Sequence, residues 1–323
     1  MTIKVMVGVA GVGKDTYINK NKTNKDLVLS SDDIRLEMFN DLVEGNKHNN
    51  LIFEEMQKRL KENLNKYENI YYNATNLNRK KRKALYDMYK KKTDIETIVI
   101  AKPLKVILEQ NDKREEYKKV PEYAIRRMYL SLEAPRIGVD TDKITVIGNF
   151  EDFSDEINEN MEKSHDNPYH IETIKEHIDK TIELAPTEKL KELAKFHDLG
   201  KSVARVKADI NSPAKEFFLS KNGSFYQYMN HQNVSGLYYL VLKKDTINYN
   251  KYEQEMLELI IRHDDIINGI SDKKKRSYNI TDNMIGTLEE FREIDKNAAT
   301  RSEFFEEYIE LLKNKTNWYL LKR

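Results

Sequence analysis

The stretch Gly8-Val9-Ala10-Gly11-Val12-Gly13-Lys14-Asp15-Thr16 follows directly on the apolar run Ile3-Lys4-Val5-Met6-Val7. It constrains the fold more than any other part of the chain. A buried strand that runs into closely spaced glycines, and then into a helix starting near Lys14, leaves backbone N–H groups free to wrap a phosphate chain. The helix N-terminus adds positive potential at the same place. In such a loop Lys14 reaches the outer phosphates, and a hydroxyl at the helix start helps to hold Mg²⁺. Gly8, Gly13 and Lys14 satisfy the pattern G-x-x-x-x-G-K, and Gly11 adds a further glycine. Asp15 takes the position usual for Ser or Thr, and the hydroxyl comes one residue later at Thr16. The motif predicts a bound nucleoside triphosphate and leaves the phosphate acceptor open.

At 323 residues the length is that of about two domains. A formal net charge of +1 excludes a global field that draws the chain to nucleic acid or membrane, so a nucleic-acid site has to be a local basic patch. The absence of cysteine excludes disulfides and thiolate-metal sites. No apolar run approaches the ~20 residues that span a bilayer. The chain enters a strand at once, without a signal peptide, and reads as cytoplasmic with no membrane partner.

Short apolar runs alternate with helical patterns through the first half. Ile3–Val7, Leu27–Leu29, Ile70–Tyr72, Ile95–Ile100 and Ile144–Ile147 read as strands. Helical periodicity covers Asn49–Tyr67 and Arg79–Lys91, and Pro121 opens another helix over Glu122–Glu133. This is the pattern of an α/β domain with a parallel sheet and flanking helices over residues 1–150. Residues 151–165 are acidic, polar and turn-prone, and read as a linker. From residue 166 to 323 no strand alternation is evident. Helical periodicity there covers Ile171–Leu184, Glu188–Phe196, His231–Leu242, Tyr252–Arg262, Thr287–Ala299 and Phe304–Leu312, so this domain is expected to be all-α.

A phosphoryl-transfer enzyme also needs a base, cations for the developing charge and a grip on the acceptor. Ser30-Ser31-Asp32-Asp33-Ile34-Arg35 follows the second strand, at the end of an open α/β sheet where ligands bind. Asp32 can serve as the base, and Arg35, one turn on, can hold an acceptor phosphate bidentately. The same residues read equally well as a helix cap. Tyr72-Asn73-Ala74-Thr75-Asn76-Leu77-Asn78 ends the third strand and faces the same crevice or caps the next helix. Arg79-Lys80-Lys81-Arg82-Lys83 reads as a solvated helix face, or as a contact to nucleic-acid backbone. Arg126 and Arg127 sit on the later helix, which can act as a lid; adjacent residues point different ways, so one of them brings a cation to the phosphates.

Taken in order and spacing, GVAGVGKDT, SSDDIR, ATNLN and VPEYAIRRMY resemble the polynucleotide 5′-kinase family over about residues 1–150. That resemblance implies a P-loop kinase domain. It implies that Asp32 activates a 5′-hydroxyl, that Arg35 and Thr75 hold the acceptor, that Arg126 is the lid arginine, and that Lys14 and Thr16 serve ATP with Mg²⁺. Two residues depart from the family pattern: Asp15 stands for the usual serine, and Ala74 stands where the family has Asp.

Six of the seven histidines lie at or beyond residue 165. His177 is on one helix, His197-Asp198-Leu199-Gly200-Lys201 ends another, His231 begins a third, His263 closes a fourth and Asp295 lies on a fifth. Imidazole and carboxylate ligands suit one or two divalent ions of Mn, Fe, Co, Ni or Zn, and such a site activates water and clamps phosphoryl oxygens. Lys201, a turn away, can hold the phosphate. Any single histidine reads more simply as a core or surface residue; the set does not. His177, His197-Asp198, His231, His263 and Asp295 resemble the signature of the HD phosphohydrolase superfamily over about residues 166–300. The resemblance implies a metal-dependent phosphohydrolase domain. Asp264, next to His263, points about 100° away on a regular helix, and Asp295 fits the superfamily order better, so the resemblance implies Asp295 as the closing ligand. His165 and His170 read as loop residues outside the ligand set, and His48 as a surface residue.

Together the two resemblances imply an end-healing enzyme, a kinase fused to an HD phosphohydrolase. It would phosphorylate 5′-OH ends of RNA (or DNA) with ATP and remove 2′(3′)-phosphate or 2′,3′-cyclic phosphate, ahead of a separate ligase. A nucleoside or small-metabolite kinase fused to an HD nucleotidase, and a nucleotide-gated regulatory protein, are the alternatives.

Overall fold

A computed structural model describes residues 1–313, which divide into two compact units. The first comprises Met1–Phe153 with Leu237–Glu258 and Ser277–Asn279; the second comprises Ser154–Gly236, Leu259–Arg276 and the described residues from Ile280 onward.

In the first unit β1 (Thr2–Val7), β2 (Asp26–Ser30), β3 (Asn69–Asn73), β4 (Asp94–Ile100) and β5 (Lys143–Ile147) form a sheet in the order β2-β3-β1-β4-β5. Every pairing is parallel. Each strand contains the run expected from sequence and extends it by one residue at one or both ends. Ile3, Val5, Met6 and Val7 of central β1 are all buried, because a parallel sheet is covered on both faces. The order sets the C-terminal ends of β2, β3 and β1 side by side. The glycine loop after Val7, the segment after Ser30 and the segment after Asn73 therefore share one edge of the sheet.

The basic run at 79–83 corrects the expectation of a solvated or nucleic-acid-binding face at two of its five positions. On the helix Arg79–Tyr89, residues 79, 82, 86 and 89 share one face, and all four are buried. Arg79 contacts Glu258 at 2.5 Å and donates to the Ala134 carbonyl from Nη2 at 2.6 Å. Arg82 contacts Asp140 at 2.7 Å and donates to the carbonyls of Asn76, Leu77 and Glu133. These arginines fasten the chain around the sheet; Lys80 and Lys81 are exposed. Asn248, from the distant segment of the same unit, pairs with both backbone groups of Ile144 at 2.8 and 2.7 Å. It thereby satisfies part of the free edge of β5.

The second unit is mainly helical, with Ile174–Leu184, Glu188–His197, Pro213–Asn222, Asp282–Ala298 and Phe305–Lys313 among its helices. Among the described residues it also contains a short antiparallel pair, β6 (Val206–Lys207) and β7 (Tyr226–Gln227), which corrects the expectation of helix alone. Two residues per strand are too few to leave an alternating pattern in sequence. Phe218, Phe225 and Tyr308 pack together with Ala214 in a small core. No helix among the described residues is long and apolar enough to cross a membrane.

Candidate functional sites

The glycine loop closes onto its own lysine. Gly13 precedes the helix Lys14–Asn21 at φ 109°, ψ 24°, a left-handed conformation that glycine adopts without a Cβ clash. Lys14 Nζ donates to the carbonyls of Gly8 and Val9, both at 3.0 Å. The Gly8 N–H donates to the Thr75 carbonyl at 3.1 Å, which ties the loop to the segment after β3. Two further cations border the loop. A Cβ placed on Gly11 would lie 3.9 Å from Arg114 Nη1, and one on Gly13 would lie 3.6 Å from Lys102 Nζ. Arg114 Nη1 is buried without a hydrogen-bond partner. Neither residue belongs to the glycine motif, and only the folding of later segments against the loop brings them there.

Burial lowers the Lys14 pKa to about 8, more than the neighbouring Asp15 and Asp32 raise it. The side chain is charged below that pH and neutral above it. Nucleotide affinity measured by titration is therefore expected to hold up to about pH 8. Above that it falls with the slope of one proton, ~tenfold per pH unit.

Asp15, on the first turn of this helix, is exposed. Its Oδ1 accepts from Asn73 Nδ2, at the end of β3, at 2.7 Å. Asn73 is 6% exposed, and its Oδ1 is buried with no partner.

At the end of β2, Ser30 caps the helix Ser31–Phe39, its Oγ accepting from the Asp33 N–H at 3.2 Å. Capping therefore falls to Ser30, and the Asp32 carboxylate is left for another task. Arg35 Nη1 donates to Asp32 at 2.7 Å and Nη2 to Asn49 at 2.7 Å. The Arg35 side chain is 9% exposed, whereas that of Asp32 is 59% exposed. Gly45 allows this arrangement, since a Cβ there would lie 2.7 Å from Arg35 Cβ. Asn49 and Gly45 carry no chemical signature in sequence, and their part here emerges only from the packing. Beyond β3, Thr75 is half-buried. Asn76 donates to the Met6 carbonyl at 2.8 Å and Asn78 caps the helix Arg79–Tyr89, so both serve the backbone. Arg126 is exposed on the helix Glu122–Leu130, and its ion-pair partner is Glu122 of the same helix, at 2.8 Å. Arg127 is exposed as well.

In the second unit, residues 118 positions apart in sequence meet. His177 lies on Ile174–Leu184, a helix begun by a Thr173–Glu176 capping box. His197 is the last residue of Glu188–His197 and Asp198 is its C-cap. His231 begins His231–Leu242, His263 follows Lys251–Arg262, and Asp295 sits in the last turn of Asp282–Ala298.

The outer ring nitrogens fix the tautomers. His197, His231 and His263 each place Nδ1 against the carbonyl three residues back, at 2.7, 2.8 and 2.8 Å. His177 Nδ1 lies 3.2 Å from Glu172. Carbonyls only accept, so Nδ1 of His197, His231 and His263 bears a hydrogen, and the inward Nε2 is the ring atom left to ligate an ion. The Nε2 atoms of His177 and His197 are 3.4 Å apart, and those of His231 and His263 are 3.3 Å apart.

Carboxylates complete the set. Asp295 lies 2.9 Å from His177 and 3.3 Å from His197. Asp198 faces both pairs, with Oδ2 3.3 Å from His197 and Oδ1 3.0 Å from His231. Two groups, His177–His197–Asp295 and Asp198–His231–His263, thus each have ligand atoms within 4.8 Å of one another. This donor set is of the chemistry that would suit one or two divalent ions, and Asp198 faces both groups. Burial opposes an imidazolium at His197, yet Asp198 and Asp295 raise its pKa to about 10.

Asp264 also reaches the site, 3.6 Å from both His231 and His263. His263 and Asp264 lie in a 3₁₀ turn, His263–Asn268, beyond the end of the α-helix, and Asp264 belongs to neither ligand group described above. Lys201 is buried and 2.6 Å from Asp198. His165 is fully buried, with Nε2 3.2 Å from Lys201 Nζ and Nδ1 2.9 Å from the Glu172 carbonyl. Both nitrogens thus have protein partners, which argues against the nearby His165–His170–Glu172 group as a further ion site. His48 is half-buried and stacks on Phe39, away from any cluster of this kind.

Gly200 lets the His197-Asp198 turn approach the helix that carries His231. A Cβ on it would lie 2.1 Å from the His231 carbonyl and 2.8 Å from Ser235 N. Its N–H donates to Ser235 Oγ, which in turn donates to the His197 carbonyl. Gly200→Ala is expected to lower metal content at least as much as loss of a supporting partner does, ~10–100-fold in affinity. Elemental analysis of the purified protein checks this, although no ligand has been removed.

Residues 3–135 match the AAA_33 family model, an AAA domain. The chain thus has an N-terminal AAA_33, P-loop kinase-like domain built on a parallel sheet, which supports ATP binding and a nucleotide or nucleic-acid kinase-like activity. A search of the curated proteins found no match.

Proposed function

We propose that this chain is a bifunctional nucleic-acid end-healing enzyme. It phosphorylates the 5′-OH of RNA with ATP and removes a 2′(3′)-phosphate or 2′,3′-cyclic phosphate at an HD-type site. The observation that carries the reading is the coexistence, in one chain, of the Asp32–Arg35 pair beside a phosphate loop and a cluster of four imidazoles with Asp198 and Asp295.

In the kinase reaction the Asp32 carboxylate takes the proton of the acceptor hydroxyl. The hydroxyl oxygen then bonds to the γ-phosphorus as the bond to the β–γ bridging oxygen breaks, and ADP leaves. Arg35, held by Asn49 and stacked against Gly45, presents its guanidinium to the phosphate next to the acceptor nucleoside. Thr75 supports that acceptor. Lys14 turns from its carbonyl partners to the donor phosphates, and Arg126 leaves Glu122 to join it when the helix Glu122–Leu130 closes as a lid.

In the second site His177, His197, His231, His263, Asp198 and Asp295 would hold one or two divalent ions. Such ions, when bound, lower the pKa of coordinated water and neutralise phosphoryl oxygens. Glu172 and the three backbone carbonyls hold the imidazoles in the ligating tautomer. Lys201 places an ammonium beside Asp198, where it can hold a substrate phosphate oxygen. A separate ligase would then join the healed ends.

Competition for limiting ATP between a 5′-OH oligoribonucleotide and a free nucleoside tests the acceptor class. Preferential labelling of the oligonucleotide supports the reading. Labelling of the nucleoside alone replaces it with a small-molecule kinase.

A further inference from the structure

Asp15, one of the two departures from the family pattern, is bonded to the residue that precedes the other, Ala74. Asp15 projects from the first turn of the helix that follows the phosphate loop, and its carboxylate is bonded to Asn73, the residue before Ala74, at the end of β3. A carboxylate next to Lys14 repels a triphosphate unless a cation lies between them. Asn73 supplies an independent sign of such a cation. Asn73 is 6% exposed, its Nδ2 donates to Asp15, and its Oδ1 is buried with no hydrogen-bond partner. A buried amide oxygen left unsatisfied is costly, and a hydrated or directly bound divalent ion satisfies it.

We propose that Asp15 and Asn73 form the protein side of the divalent-cation site for the bound nucleotide. The inference rests on the phosphate-donor reading of the loop. It differs from a purely structural role for Asp15 as a first-turn acid that favours the helix dipole, because that role does not involve Asn73.

The test is a fluorescence titration of the full chain with mant-ADP, in Mg²⁺ and in EDTA. The ratio of the two dissociation constants reports the coupling between metal and nucleotide. The parent protein is expected to bind more tightly in Mg²⁺. Asp15→Asn is expected to reduce that ratio by ~10–100-fold, the range that a metal-site partner commands, with affinity in EDTA unchanged or improved. Asn73→Ala is expected to lower the ratio in the same direction. An unchanged ratio in Asp15→Asn overturns this inference alone. Failure of the parent protein to bind mant-ADP in either buffer overturns the phosphate-donor reading and the inference with it.

Discussion

Asp198→Ala is expected to remove metal-dependent phosphoester hydrolysis by about 10³-fold or more, while leaving ATP-dependent 5′-phosphorylation at the parent level. The size follows from the several kcal/mol of transition-state charge stabilisation that a bound ion supplies, at about 1.4 kcal/mol per factor of ten. Asp198 is the residue that faces both imidazole pairs, with its two oxygens 3.3 Å from His197 and 3.0 Å from His231. Losing it opens both groups at once and leaves Lys201 without its 2.6 Å partner. Hydrolysis of a 2′,3′-cyclic phosphate substrate under a panel of divalent ions measures the effect. The retained kinase activity shows that the variant is folded. Hydrolysis at the parent rate would remove Asp198 from the site.

Asp32→Asn is the matching experiment for the other site. The amide keeps an oxygen for Arg35, so the 2.7 Å contact that positions the guanidinium survives. It takes no proton at neutral pH. The kcat for 5′-phosphorylation is expected to fall by ~10²–10⁴, the range of a lost general base, with KM for the acceptor little changed. Hydrolysis at the second site should not change. A rise in KM with kcat preserved would instead make Asp32 a binding residue. Lys14→Ala should likewise abolish phosphorylation alone.

Much of this architecture is legible from residue patterns. The five strands are short runs of Val, Ile, Leu and Tyr bounded by polar residues, and each lies within one residue of where its pattern places it. The P-loop is legible because the demand for glycine and lysine is local. The imidazole set is legible because histidine is rare in the chain and four of its seven copies open or end helices or lie on one.

What is not legible depends on contacts between distant segments. Arg79 and Arg82 sit in a run of five basic residues, and the helical period that buries them is hidden by the charge they share with Lys80, Lys81 and Lys83. Their partners Glu258 and Asp140 are 179 and 58 residues away. Leu237–Glu258 carries helical periodicity but nothing that foretells its place in the first unit. Arg114, Lys102 and Glu172 act by proximity to a loop or ring that only the fold defines.

The central claim is that one chain carries two separable end-healing activities. The direct measurement uses an end-labelled RNA with a 5′-OH and a 2′,3′-cyclic phosphate, incubated with ATP and each divalent metal in turn, with both ends of the product analysed. The account predicts a 5′-phosphate that depends on ATP and on Asp32, and an opened or removed terminal phosphate that depends on metal and on Asp198. An RNA unchanged at both ends under every metal, or loss of both activities from either single substitution in a folded protein, would contradict it.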